Sequence, residues 1–372
     1  MKHHGKIQGF YKKRYIDNGR GNGYDAPEIR QVETRYNKDT FQTFVPNNYQ
    51  IIDVYSPTDL PSAVHRIKEE GINLLMVNGG DGTMQRLITD LIKSIPENDL
   101  PIILPLRGGT TNTIAGNIGV RKNPIDTVRI IMDHVELYNR GEKTLSTLPL
   151  RPLKITDKVH GTKYGFLFLN GLIHKVQQLF YQQENPTFST VVNLVTTMIG
   201  GYTIRNKNVT KYFSKTAAEI YIDSVKYPEE KHLLTIASPL QKLLLWFKPF
   251  YNPDAKGVDR FYFIATSADP WVIIKNLRIF STGKQIPPRT FNDTAAHISI
   301  KAEGGYALDG EMINDKHTEL ELDQGPLMKF LVVPETIRTS YGITYRAYFN
   351  ESLVSMHKRD NAPSLQAENL PG

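Results

Sequence analysis

One short stretch constrains this chain more than any other. Ile72 to Val77 (INLLMV) is an apolar run of the kind that forms a parallel strand buried on both faces, and through Asn78 it runs straight into Gly79-Gly80-Asp81-Gly82-Thr83. Beyond it Met84, Leu87, Ile88, Leu91, Ile92 and Ile95 recur at helical spacing on one stripe, which predicts an amphipathic helix with Thr83 at its cap. A strand, a glycine loop and a helix start in succession gather free backbone N–H groups and the positive end of the helix dipole at one point. Such a point attracts phosphate. Glycines let the backbone approach an anion, and Thr83 offers a hydroxyl. Asp81 would repel that anion unless a divalent cation lay between them, which points to a metal-bound nucleotide. A glycine turn that merely starts a helix explains the same five residues about as well.

A second loop of the same design follows. Pro101 to Leu104 reads as another buried strand and leads into Arg107-Gly108-Gly109-Thr110-Thr111-Asn112. Neighbouring parallel strands present such loops along one sheet edge, where ligands bind in α/β folds, so the two could flank one polyphosphate. Neither loop matches GxxxxGK[ST] or GxGxxG, which disfavours a P-loop NTPase and a dehydrogenase. Around them the pattern alternates between a strand at Tyr49 to Tyr55, a helix at Pro61 to Glu70 stopped by Gly71, and a helix opened by Asn123-Pro124. A weak strand is all that the first forty residues offer.

Past Leu145 the period changes to two. Lys154 to Thr156, Tyr164 to Asn170, Glu219 to Asp223, Leu233 to Ala237, Phe261 to Thr266, His297 to Lys301, Glu319 to Leu322 and Lys329 to Val333 read as antiparallel strands. Late in this region stands Leu308-Asp309-Gly310-Glu311. If the stretch is extended, Asp309 and Glu311 share a face and could supply a general base; Asp-Gly is also a common hairpin turn.

At 372 residues the chain is long for one core, and about two domains are expected. The reading is a three-layer α/β domain with a mostly parallel sheet at 1–143, an antiparallel β-sandwich-like domain at 144–334, and a segment at 335–372 that packs back on the first domain and ends in a mobile tail. The absence of cysteine excludes a disulfide framework, thiolate-ligated zinc and a thiol nucleophile, and fits a cytoplasmic protein. No apolar run reaches the ~18 residues of a spanning helix. A net charge of +7 favours anionic partners, but the basic residues form no RNA-binding pattern, so nucleic acid is not expected. Leu240 to Tyr251 (LQKLLLWFKPFY) could rest on a membrane through Trp246 and Phe247, or be buried in the β domain. The histidines show no metal-ligand spacing.

The order GGDGT, GGTTN, DGE resembles the diacylglycerol kinase catalytic-domain superfamily, which includes sphingosine and ceramide kinases and bacterial lipid kinases. The resemblance spans roughly Tyr49 to Val333. It implies that Gly79, Gly80, Asp81, Gly82 and Thr83 bind the phosphates of ATP, that Gly109, Thr110 and Asn112 line the same cleft, and that Asp309 or Glu311 takes the proton of a lipid hydroxyl. It also implies Mg²⁺, a lipid substrate met at a membrane surface by peripheral association, and a metal loop at Asn252 to Phe261 with Lys256, Asp259 and Phe261 as ligands. Homodimerisation is left open. The chain departs from the family at Gln85-Arg86, where bacterial members carry an asparagine-glutamate pair, at Thr113, and at the N-terminal Asn-Pro-x-x-Gly element, for which Asn18 to Gly23 is the candidate replacement. An NAD kinase-like enzyme and a catalytically weak lipid- or nucleotide-binding homologue are the alternatives.

Overall fold

The computed structural model describes residues 10–13, 41, 43, 45, 51–54, 56–109, 111–140, 145–183, 188–243, 247–251, 259–284, 286–339 and 342–347. Its first part is built from β1 (Phe10–Lys13), β2 (Ile51–Val54), helix α1 (Leu60–Glu69), β3 (Leu74–Gly79), α2 (Asp81–Ser94), β4 (Ile102–Arg107), α3 (Thr113–Asn117), α4 (Pro124–Asn139) and β5 (Thr147–Leu150). The chain then forms β6 (Leu153–Asp157), β7 (Gly161–Gly165), β8 (Phe168–Gly171), α5 (Leu172–Tyr181) and α6 (Phe188–Thr203). Ten strands follow: β9 (Thr216–Ile222), β10 (Val225–Lys226), β11 (Lys231–His232), β12 (Leu234–Ser238), β13 (Phe261–Thr266), β14 (Thr290–Ala295), β15 (Ile298–Glu303), β16 (Tyr306–Leu308), β17 (Glu311–Ile313) and β18 (His317–Gln324). It returns as β19 (Met328–Leu331) and ends, among the described residues, in a hairpin of β20 (Pro334–Thr339) and β21 (Gly342–Ala347).

The first sheet has the order β2-β1-β3-β4-β19-β5, parallel except for the edge strand β5. Alternation along β3 sends Leu75 and Val77 into a core with α1 and α2, while Leu74 and Met76 enter a second core with Val128, Ile131 and Val135 of α4. Both faces are covered, giving three layers. The 144–334 unit expected from the sequence thus contributes its first and last strands, β5 and β19, to this sheet.

Two antiparallel sheets make the second domain. One runs β10-β9-β15-β18-β6-β7, with β11 on β9, and the other β14-β13-β12-β8-β16-β17. Ile155, Ile220, Ile300 and Leu322 of the first pack against Phe168, Phe261, Phe263 and Tyr306 of the second. The domains are stitched together by α2 and β7. Thr89 Oγ1 accepts from the Tyr164 amide (2.9 Å) and donates to the Tyr164 carbonyl (3.2 Å), while Phe166 and Leu240 enter the α1–α2 core.

Four expectations change. The helix after the glycine loop begins at Asp81 with Gly80 as its cap, so Thr83 lies within the first turn. The strand expected at Tyr164 to Asn170 is split into β7 and β8 around Phe166-Leu167. Helices α5 and α6 occupy a region read as purely β. In the stretch from Leu240 to Tyr251, Leu240, Leu243 and Phe250 are buried and Phe247 packs on the same interior, as the buried alternative expects; Trp246 falls outside the described residues. Asn123 caps α4 as read, its Oδ1 accepting from the Asp126 amide at 2.9 Å. Among the described residues no helix is long and apolar enough to cross a membrane.

Candidate active site

Parallel pairing sets Gly79 beside Arg107, so the loops after β3 and β4 leave the sheet side by side. They leave no room for side chains. A Cβ on Gly109 would lie 2.4 Å from the Gly80 Cα, and one on Gly108 would lie 2.4 Å from Asn78 Oδ1. Gly80 caps the 14-residue α2 in extended backbone, which aims that helix's first-turn amides at the loop.

Asp81 has a use that the sequence did not show. Its Oδ2 accepts from Thr111 Oγ1 (2.7 Å) and the Thr113 amide (3.0 Å), and its Oδ1 from the Ile114 amide (3.2 Å). The carboxylate caps α3 and bolts the second loop to the first. Those uncharged donors orient the carboxylate and leave its negative charge in place beside the glycine loop. Asn112, left-handed at φ 50°, closes its own loop: Oδ1 accepts from the Gly109 amide (2.8 Å) and Nδ2 donates to the Gly109 carbonyl (2.6 Å). Thr83 lies buried in the first turn, its side chain filling the space where a Gly79 Cβ would be. Thr110 lies outside the described residues.

The Asp309-Gly310 pair is a hairpin turn between β16 and β17, with φ of 48° and 89°, both positive as a type I′ turn requires. The stretch is therefore not extended, and Asp309 and Glu311 do not share a face as an extended pair would. Asp309 turns inward. Its Oδ2 accepts from the Phe166 amide at 2.7 Å, in a space kept open by Gly165, where a Cβ would come within 2.4 Å of that oxygen. Burial raises its pKa well above the ordinary carboxylate value, with Asp81 adding to the rise and the Phe166 amide opposing it. Glu311 faces two cations, Arg86 of α2 and Lys163 of β7, each at 3.5 Å.

The turn meets the glycine loop. A Cβ on Gly82 would lie 3.4 Å from the Asp309 carbonyl oxygen, so all three motifs, about 230 residues apart in sequence at the extremes, meet where the two domains come together. Tyr181, at the end of α5, closes one side: its hydroxyl would be 2.7 Å from a Cβ on Gly310, and its pKa is raised by burial and by the nearby Asp81. Arg86 had drawn notice only as a departure from a family pattern. Lys163 and Tyr181 lie in no motif, and only the folding of β7 and α5 brings them here.

The carboxylates at the cleft do not offer a ready Mg²⁺ ligand set. Both oxygens of Asp81 accept hydrogen bonds, and Glu311 faces arginine and lysine. Of the expected metal loop only the last three residues are among those described. Asp259 Oδ1 stands 3.4 Å from Arg151 Nε and is well exposed, Phe261 begins β13, and Lys256 lies outside the described residues.

Residues 19–138 match the family model of the diacylglycerol kinase catalytic domain. Over this third of the chain the protein is similar to that family's catalytic domain. The kinase-domain match covers the loop region and ends within α4. No curated protein matches the sequence. Among solved structures, a Bacillus anthracis str. Sterne protein assigned as a diacylglycerol kinase superposes with a TM-score of 0.59 at 16% identity, covering 88% of this chain and 97% of that one. A diacylglycerol kinase of the same organism gives 0.52 at 14% identity, covering 87% and 96%. The likeness is one of fold, and it extends over both domains.

Proposed function

We propose that this protein is an ATP-dependent lipid kinase that works in the cleft between its domains. The observation that carries the reading is the contact of the Asp309 turn with the glycine loop at Gly82. First-turn amides of α2 and the bare backbone of Gly79, Gly80 and Gly109 would hold the nucleotide phosphates. Asp309 would take the proton of the acceptor hydroxyl as its oxygen attacks the γ-phosphorus and the bond to ADP breaks. Of the two candidate bases Asp309 is favoured, because burial makes its carboxylate more basic, which suits a proton acceptor. Glu311, engaged by Arg86 and Lys163, is better placed to hold those cations than to take a proton. A divalent metal, arriving on the nucleotide, would neutralise phosphate charge.

The acceptor is a hydroxyl of diacylglycerol, a sphingoid base, ceramide or a related lipid, reached by peripheral association with a membrane from the cytoplasm. Labelled ATP, Mg²⁺ and a lipid panel test this directly: one lipid class should be labelled by the wild type and not by Asp309→Asn. The absence of any labelled lipid would refute the kinase reading. The Arg86–Glu311 contact favours one second reading, a homologue that binds lipid without efficient turnover. Lipid binding equal in the wild type and an Asp309→Asn, Glu311→Gln variant, with no turnover in either, would support it.

A further inference from the structure

The longest uncharged stretch around the cleft is a helix on the outside of the protein. From Ser189 to Ile204 there is no charged residue, yet Val192, Val195 and Ile204 are 45%, 39% and 76% exposed. The inner side of α6 explains why it is held in place. Met198 is buried, Tyr202 packs on Phe213 with ring centroids 4.4 Å apart, and Gly201 fits against Val209. Among the described residues nothing covers Val192, Val195 and Ile204 to the same extent. Valines at 39–45% exposure on a folded surface leave apolar area in water at a cost of roughly 25 cal/mol per Å².

The charges that follow this helix in sequence are predominantly basic. Between Glu184 and Glu219 the sequence contains no carboxylate and four cations, Arg205, Lys207, Lys211 and Lys215. The first three are exposed directly after α6. A second patch of the same kind adjoins it: Asp269 lies close enough to Tyr202 to raise its pKa beyond the rise caused by burial, and Lys215 Nζ donates to the Ser267 carbonyl. That patch exposes Trp271 (39%) and Ile279 (36%) next to Lys275 and Arg278, and no carboxylate occurs between Asp269 and Asp293. Apolar side chains with an interfacial tryptophan, rimmed by cations and with Asp269 turned to cap the Trp271 helix, match the chemistry of an anionic bilayer surface.

We infer that α6 and the Trp271 patch form the surface by which this protein docks on membranes containing anionic lipid. The position serves the cleft, because α6 follows α5, whose Tyr181 lies against Gly310. This consequence rests on the lipid-kinase reading; the docking itself does not.

Co-sedimentation of the whole protein with vesicles tests it. Binding is expected to phosphatidylcholine vesicles containing phosphatidylglycerol, to be weakened by salt, and to be far weaker with phosphatidylcholine alone. Reversing Arg205, Lys207 and Lys211 to Glu should lower partitioning about a hundredfold. Val192→Asp with Val195→Asp should lower it at least about tenfold without reducing thermal stability, since both positions are exposed. Phosphorylation of a short-chain, detergent-dispersed lipid should be unaffected by either set. Wild-type protein that ignores anionic vesicles, variants that bind as the wild type does, or loss of self-association in place of vesicle binding would overturn the docking assignment. Vesicle binding without phosphorylation of any lipid would instead remove the kinase reading and leave the docking surface standing.

Discussion

Asp309 shows how one residue can serve both a turn and a site. Aspartate tolerates the left-handed backbone that a type I′ turn demands, and the same turn carries its carboxyl out of water onto the Phe166 amide. Its folded pKa lies above the unfolded value of 3.8, so above that pH the native state binds more protons than the unfolded chain and stability falls as pH rises. Asp309→Asn keeps an acceptor for the Phe166 amide and removes the cost of ionisation. The variant should melt no lower than the wild type at pH 8, while turnover falls by about 10²- to 10⁴-fold. Paired melting curves at pH 5 and 8 and initial rates decide it; a lower Tm at pH 8 would mean the carboxylate is needed by the fold. The motifs were legible at this scale because they are contiguous. The duties of Asp81 and Asn112 were not, because the amides that meet Asp81 lie more than thirty residues away and the Asn112 bonds depend on a left-handed backbone.

At the scale of elements, the two glycine loops behave as one piece. Backbone meets backbone at Gly80 and Gly109, so a methyl group on Gly109 cannot be relieved by a rotamer change and must push the loops apart. Gly116 supplies the control: it sits in α3 with nothing within 4 Å of where a Cβ would stand, and alanine there should stabilise by roughly 0.5–1 kcal/mol. Gly109→Ala should instead cost about 1–3 kcal/mol and weaken nucleotide binding, read by thermal melts and nucleotide titration. Equal stability and equal affinity in the two variants would sink the account of the paired loops. The α/β elements here were readable because buried parallel strands and amphipathic helices have distinct periods. The helix α6 escaped because its sequence, rich in β-branched residues and lacking charge, has neither the polar face of an ordinary surface helix nor the alternation of a strand. The break between β7 and β8 escaped because its cause is the Asp309 turn, which reaches the Phe166 amide from 143 residues away.

For the molecule as a whole, the sequence showed a change of period near Leu145 and suggested a return to the first domain only after residue 334, whereas the chain comes back at β19. The return of β19 between β4 and β5 is a pairing of distant segments, for which periodicity carries no signal. That return, with Phe166 and Leu240 in the α1–α2 core, makes the two domains one cooperative body rather than beads on a linker. The acid response should expose this. His232 is fully buried, hydrogen-bonded through Nε2 to Asn170 Oδ1 at 2.7 Å, while Asn170 Nδ2 donates to the Gly305 carbonyl at 2.7 Å. Burial, helped by Lys175, pulls its pKa down from 6.5 to about 4. The unfolded chain takes up a proton as pH falls through 6.5 and the native state does not until about 4, so stability is lost across that window. A shift of this size corresponds to something on the order of 3 kcal/mol. Melts from pH 7 to 4 should fall in Tm as a single transition that carries both domains, and His232→Gln should flatten the fall. An unchanged slope in the variant would discharge His232 from the role, and two separated transitions would show that the Thr89–Tyr164 junction does not couple the domains.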